Sequence, residues 1–373
     1  MLRLLQTKIK FFKTSLSKEV LDKKINKSSK ILTMDSVKSL LFFRSDGKIG
    51  DAVVSSFLYR EIKRKYPNIK IVVLCSKNNK EILKYNKNID ELYEVGGCLF
   101  NDIFVFKELR KQNINLAVDF FPFNPHFKHL LMLRIISPEF LIGFNKTSYK
   151  MYDLSVNEDF FSVHITEMYK YVLDLLKIDN PDLKYEIPFI SKEENFVLEL
   201  INNHEAKYKI VINPFSASKH RTLSFKKLKE LIELIESNFD CYVFILCQEN
   251  NRRKVISLEN GKTVIASFKS ILESAVLIKY ADIVITPDTS IVHIASAFYK
   301  KTIALYRDYS NSYEKTDVIW GPNNPNAVQL SVDTKGELLS NDVENIPNID
   351  IFKALKNFYV GFKYEVDGCY SRI

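Results

Sequence analysis

Residues 39–51 read Ser-Leu-Leu-Phe-Phe-Arg-Ser-Asp-Gly-Lys-Ile-Gly-Asp. The apolar run predicts a short buried strand over Ser39–Arg44, and a polar, glycine-containing loop follows from Ser45 to Asp51. Beyond it, Val53, Val54, Phe57, Leu58 and Ile62 recur at helical spacing, which predicts a helix over about Ala52–Lys65. Tyr66-Pro67-Asn68 stops it.

The same alternation continues outward. Strands are expected at Ile69–Cys75, Glu91–Val95 and Leu116–Asp119, and helices at Asn79–Tyr85, Phe100–Lys111 and His126–Ile136. This series ends around Pro181–Pro188. A second begins with strand Ile210–Asn213 and helix Ser224–Ser237. It continues through strands Tyr242–Cys247 and Thr263–Ala266, helix Ser270–Tyr280, strand Asp282–Thr286, helix Ile291–Phe298 and strand Thr302–Tyr306. Strands alternating with helices at this spacing mean βαβ units and parallel sheets. The fold class is therefore α/β, with two Rossmann-like, doubly wound domains joined near residues 181–207. A chain of 373 residues is long enough for two cores.

Composition agrees with a packed protein: 46% of residues are hydrophobic and 13% aromatic, far from the disordered range. The net charge of +9 suits an acidic partner such as a nucleotide diphosphate, a phosphorylated glycan or anionic lipid. A Lys- and Asn-rich composition accounts for it equally well. No basic stripe interleaved with aromatics points to nucleic acid. Cys241 and Cys247 lie on one face of a predicted strand and read as a buried reduced pair, which fits the cytosol. No stretch reaches the roughly 18–20 apolar residues of a membrane span. Lys8, Lys10 and Lys13 interrupt any signal-peptide core. Residues from Leu2 to about Ile31 suit either a helix on an anionic membrane or a loosely docked basic extension.

Ligands of doubly wound sheets sit beyond the carboxyl ends of the strands. Three loops fall there. In the first, Gly47-Lys48 is followed by Ile49, so it is no Walker motif; Asp51 suits a helix cap or a general base. In the second, Asn213-Pro-Phe-Ser-Ala-Ser-Lys-His-Arg221, the hydroxyls of Ser216 and Ser218 flank Ala217. Lys219 and Arg221 add charge, so the loop suits a phosphate or a solvated basic turn. In the third, Asp288, Thr289 and Ser290 open a helix carrying His293. Its free N–H groups suit a diphosphate, with Asp288 either capping the helix or accepting from a ribose hydroxyl, and His293 within reach of the same ligand.

Together these loops resemble glycosyltransferase family 9, the ADP-heptose:lipopolysaccharide heptosyltransferases. The resemblance rests on Arg44 with Ile49-Gly50-Asp51, on Asn213-Pro214-Phe215-Ser216-Ala217-Ser218 with Arg221, and on Asp288-Thr289-Ser290-Ile291-Val292-His293-Ile294-Ala295-Ser296-Ala297. Asp119 and Phe140-Leu-Ile-Gly143-Phe144 fit lesser motifs of the family. Phe215 and Ser290 stand where the family has glycine, Lys301 where it has proline, and Phe215 is expected to tighten access to the phosphates. The Ser-Lys-His-Arg-Thr-Leu-Ser version of the second loop resembles a subgroup that transfers the first heptose.

The resemblance implies a GT-B architecture with the domains facing across a cleft. It divides the chain into a basic extension (1–37), an acceptor-binding domain (38–190), a nucleotide-sugar-binding domain (191–335) and a C-terminal segment (336–373) returning toward the first domain. It implies inverting transfer of heptose from ADP-heptose to the inner core. Asp51 would be the base. Ser216, Ala217, Ser218, Lys219, Arg221, Asp288, Thr289, Ser290 and His293 would hold the donor. The acceptor would be an anionic lipid A–Kdo glycan, met at the cytoplasmic face of the inner membrane. No cofactor and no metal are expected, since no Asp-x-Asp occurs. Another nucleotide-hexose transferase, an epimerase or a non-catalytic binding protein remain the alternatives.

Overall fold

The computed structural model describes residues 18–25, 33, 36–121, 125–160, 162–204, 208–309, 315–332 and 341–368, the last nine of these as backbone only. Two compact units emerge. The first takes in residues up to Ala52, Leu58–Asp159 and Tyr169–Asp182. The second takes in Val53–Phe57, Phe160–Met168 and the chain from Leu183 onward.

The first unit is built on strands β1 (Ser39–Arg44), β2 (Lys70–Ser76), β3 (Glu91–Val95), β4 (Leu116–Asp119), β5 (Phe140–Phe144) and β6 (Leu154–Val156). They form a parallel sheet in the order β3-β2-β1-β4-β5-β6. All of β1 is buried, as a central strand covered on both faces must be. The second unit uses β7 (Tyr208–Ile212), β8 (Cys241–Gln248), β9 (Thr263–Phe268), β10 (Ile283–Pro287), β11 (Lys301–Tyr306) and β12 (Ala327–Ser331), ordered β12-β11-β10-β7-β8-β9. Counted within each unit, both orders are 3-2-1-4-5-6. Each sheet therefore reverses direction once, between β1 and β4 and between β7 and β10, and opens a crevice there.

The helices that matter for the site are α1 (Ile49–Val54), α2 (Ser56–Lys65), α3 (Lys80–Lys84), α4 (Leu99–Lys111), α5 (Phe127–Ile136) and α6 (Ile165–Leu175). Later in the chain come α7 (Ser191–Asn202), α8 (Phe225–Glu236), α9 (Ile271–Tyr280), α10 (Ser290–Ala297), α11 (Thr316–Ile319) and α12 (Asn348–Gly368). The single helix expected over Ala52–Lys65 is instead two. It starts at Ile49, because Asp46 Oδ1 accepts the Lys48 N–H at 3.0 Å and turns the chain early, and it breaks at Ser55. Gly47 makes that turn possible: its φ of +75° is costly for any residue with a Cβ.

The linker expected near residues 181–207 holds a helix, α7, packed on α9. Cys241 and Cys247 are free, buried thiols in the second core, and burial pushes Cys241 up to about 12. In α12, Phe352, Phe358 and Tyr359 pack against that same core. Of the basic N-terminal extension, residues 18–25 lie against the first unit: Asp22 Oδ1 accepts the Met151 N–H at 2.9 Å, and Leu21 and Ile25 pack on its core. The cationic stretch before Lys18 lies outside the described residues.

Gly143, in β5, is fixed by packing. A Cβ there would collide with the Tyr152 ring and lie 2.7 Å from Lys146 Cγ. Gly143→Ala should cost about 1–3 kcal/mol, as overpacked cores do. Urea denaturation checks this, and an unchanged midpoint would mean that Tyr152 yields freely.

Candidate active site

In the first unit the switch point is formed by the loop after β1 and the end of β4. Arg44 closes β1 and is 3% exposed. Its guanidinium lies over the rings of Phe120 and Tyr169, at 4.8 and 5.0 Å, and donates to Tyr169 Oη at 2.5 Å. Its Nη1 stands 3.7 Å from Asp46 Oδ2 and 3.9 Å from Asp51 Oδ2. Asp51 is not the helix cap. It sits inside the first turn of α1, its side chain 12% exposed, with the exposed Lys48 ammonium 4.0 Å away. Burial, and then the neighbouring Asp46 charge, raise the Asp51 carboxyl to about 6 against the pull of Lys48 and Arg44. A carboxylate with that proton affinity is ionised at neutral pH and still basic enough to accept a proton.

On β4, the strand paired with β1, Asp119 is the last residue and is fully buried. Its Oδ2 takes hydrogen bonds from Tyr152 Oη at 2.6 Å and faces His129 Nε2 at 2.8 Å; its Oδ1 accepts the Phe121 N–H at 3.1 Å. Burial works to raise the Asp119 carboxyl, but His129, Lys146 and Tyr152 together hold it below the usual range. Lys146, also fully buried, donates from Nζ to the Phe121 carbonyl at 2.6 Å, and burial lowers it to about 8. The two groups grip the backbone just after Phe120, the ring that covers Arg44.

In the second unit the loops after β7 and β10 meet. Buried Asn213 donates from Nδ2 to Thr286 Oγ1 at 3.0 Å and to Thr289 Oγ1 at 3.2 Å. Arg221 Nη1 bonds Asp288 Oδ2 at 2.6 Å. Thr222 Oγ1 accepts the Ser216 N–H and donates to the Ser218 carbonyl, both at 3.1 Å, and the Ser218 N–H reaches Ser216 Oγ at 3.2 Å. Ala217 and Lys219 are exposed on this folded loop. The cap of α10 is Thr289, which accepts the Ile291 N–H at 3.3 Å. Asp288, the residue before it, is engaged by Arg221 instead of capping. Ser290 is the first helical residue.

His293 is 3% exposed between the rings of Tyr185 and Trp320, 6.3 and 6.1 Å away, and its Nδ1 has no partner among the described residues. Burial, and then His164, lower it to about 3, so it is neutral at physiological pH. The Phe215 ring packs against the second core, with the Lys254 ammonium 5.7 Å from it. Sequence reasoning singled out neither Thr222, which organises the second loop, nor Tyr169, which holds Arg44. Tyr169 lies 125 residues from its partner, and no local signal joins them. Among the described residues no group of three or more His, Cys, Asp or Glu could hold a metal ion.

Solved structures share this pair of sheets. A glycosyltransferase family 9 protein from Veillonella parvula superposes with a TM-score of 0.72 at 16% identity, covering 90% of this chain and all of that one. ADP-heptose LPS heptosyltransferase II of Escherichia coli gives 0.68 at 16% identity, covering 88% and 100%. Heptosyltransferase WaaC of Escherichia coli, solved with ADP, gives 0.62 at 12% identity, covering 86% and 99%. The fold is thus that of the GT-B glycosyltransferases. At the sequence level, residues 105–344 match the model of glycosyltransferase family 9 (heptosyltransferase), and the chain belongs to that family. A protein of Escherichia coli K12, named provisionally lipopolysaccharide heptosyltransferase 4, is 29% identical over 329 residues, covering 84% of this chain and 88% of its own. The chain is an enzyme of the heptosyltransferase class.

Proposed function

We propose that this enzyme moves a heptose from ADP-heptose to the Kdo/heptose inner core of lipopolysaccharide or lipooligosaccharide, at the cytoplasmic face of the inner membrane. The observation that carries the reading is Asp51, a nearly buried carboxylate raised to about 6 beside Arg44. The first unit supplies this base and binds the acceptor. The second holds the donor, with Ser216, Ala217, Ser218 and Lys219 around the diphosphate and Asp288, Thr289, Ser290 and His293 at the opening of α10. The acceptor hydroxyl attacks the anomeric carbon from the face opposite the diphosphate. The new C–O bond forms as the bond to the diphosphate oxygen breaks, Asp51 takes the hydroxyl proton, and ADP leaves with the bonding electrons. Arg221, Lys219 and the helix start meet the charge that develops on it.

Incubation with ADP-heptose and a truncated Kdo-bearing acceptor should add one heptose, detected by mass spectrometry. Consumption of a uridine or guanosine sugar nucleotide instead would point to another hexosyltransferase. No consumption of any donor would leave a binding protein. Arg221→Gln should lower kcat/KM for the donor about 10–100-fold, the worth of a charge-assisted contact. Its melting temperature should fall somewhat as well, because the nearly buried Asp288 loses this charge partner, so kcat/KM is read at a temperature where the variant is folded. Unchanged donor kinetics would remove Arg221 from the site.

A further inference from the structure

Two helices of the first unit begin with exposed aromatic rings. At the start of α4, Leu99 is 38% exposed, Phe100 69% and Phe104 55%; at the start of α5, Phe127 is 46% exposed. Phe100 and Phe104 stand one turn apart with ring centroids 5.1 Å from each other, edge to face. The two starts adjoin, because Lys128 of α5 pairs with Asp102 of α4. Four large apolar side chains thus share one exposed region, which singly scattered surface residues do not.

Its position follows from the sheet. Helix α4 succeeds β3 and α5 succeeds β4, and both strands run parallel to β1. The helix starts therefore lie at the carboxyl edge of the sheet, the edge that carries Arg44 and Asp51. Further along α4, Lys107, Arg110 and Lys111 are exposed, against one exposed acid, Glu108. Exposed rings at the tip, with Lys107 about one turn behind Phe104 and Arg110 and Lys111 about two turns behind it, match the two layers of an anionic bilayer surface. Rings enter the acyl boundary while ammonium and guanidinium groups meet the headgroups.

We propose that the starts of α4 and α5 dock the enzyme on an anionic membrane through Phe100, Phe104, Leu99 and Phe127. The docked edge is the one bearing Asp51, so a lipid-borne acceptor is met where the base lies. That purpose rests on the proposed acceptor, but the docking itself does not.

The test is co-sedimentation of the full-length enzyme with vesicles, without any sugar nucleotide. Wild type should bind vesicles of phosphatidylglycerol and phosphatidylcholine and bind pure phosphatidylcholine weakly. Phe100→Ser with Phe104→Ser should lower the partition at least about tenfold. Phe196→Ser is the control: this ring on α7 of the second unit is 54% exposed and should not matter. Thermal denaturation checks that each variant folds. Wild-type-like binding by the double variant would overturn the proposal, as would failure of wild type to bind anionic vesicles. A third overturning result is a dimer of the wild type that the double variant converts to a monomer with vesicle binding unchanged, since the rings would then face a second copy. Because no transfer is measured, loss of binding and failure of the heptosyl-transfer reading are scored separately.

Discussion

Asp51→Asn should lower kcat by about 10²–10⁴-fold, the usual contribution of a positioned base, with donor affinity little changed. The wild-type kcat/KM should climb as pH rises through about 6, where the Asp51 carboxyl ionises, and then level off. The variant should lack that limb. Near-normal turnover in the variant, or a wild-type profile flat between pH 5 and 7, would take the base role away from Asp51.

The same substitution should stabilise the protein. The folded pKa of about 6 lies above the ordinary 3.8, so between these values the folded state holds a proton that the unfolded chain has lost. Stability from this group is present below about pH 4 and is lost as pH rises through 6. Asparagine carries no such charge. The variant should therefore gain stability above pH 6, by up to the order of 3 kcal/mol, and gain little at pH 4. Denaturation midpoints at the two pH values measure the difference.

Asp119→Ala is the second large effect, and it falls on stability. The carboxylate is the shared partner of Tyr152, His129 and the Phe121 N–H, and it is the counter-charge that steadies buried Lys146. Stranding buried partners in this way typically costs about 3–5 kcal/mol. The midpoint in urea should fall with little change in slope. The deficit should narrow as pH rises. Lys146 already titrates near 8 in the folded state, below its ordinary 10.5, so folding is favoured as it loses its proton, and without Asp119 that gain extends to lower pH. Asp119→Asn should recover part of the loss, since the amide keeps the shape and still accepts hydrogen bonds. A variant as stable as wild type would show that the network is not cohesive. A variant that folds but has lost the Asp51 pH limb would show that the network acts through Phe120 on Arg44.

Much of this protein is legible along the chain. Apolar runs such as Ser39–Arg44 and helical stripes such as Phe225, Leu228, Leu231, Ile232 and Ile235 carry their own period, and strands alternating with helices leave few arrangements beyond parallel sheets. Shorter elements escape. β6 spans only Leu154–Val156, and β12 is mostly unburied, so neither has enough pattern to stand out. The loops Arg44–Asp51, Asn213–Arg221 and Asp288–His293 were also visible, because glycine, hydroxyl and charged residues following a strand mark its carboxyl end.

What each of those side chains does was decided by the folded chain. Asp51 and Asp288 both read as helix caps, yet neither caps: Thr289 caps α10 while Asp288 is held by Arg221, and Asp51 lies inside the first turn of α1 next to a second carboxylate. The proton affinity of Asp51 and the neutrality of His293 depend on burial, which residues far away in sequence create. Local chemistry set the elements and the order of the strands' end loops. Only the tertiary structure chose the partners, because charge and desolvation act through space and leave no period in the sequence.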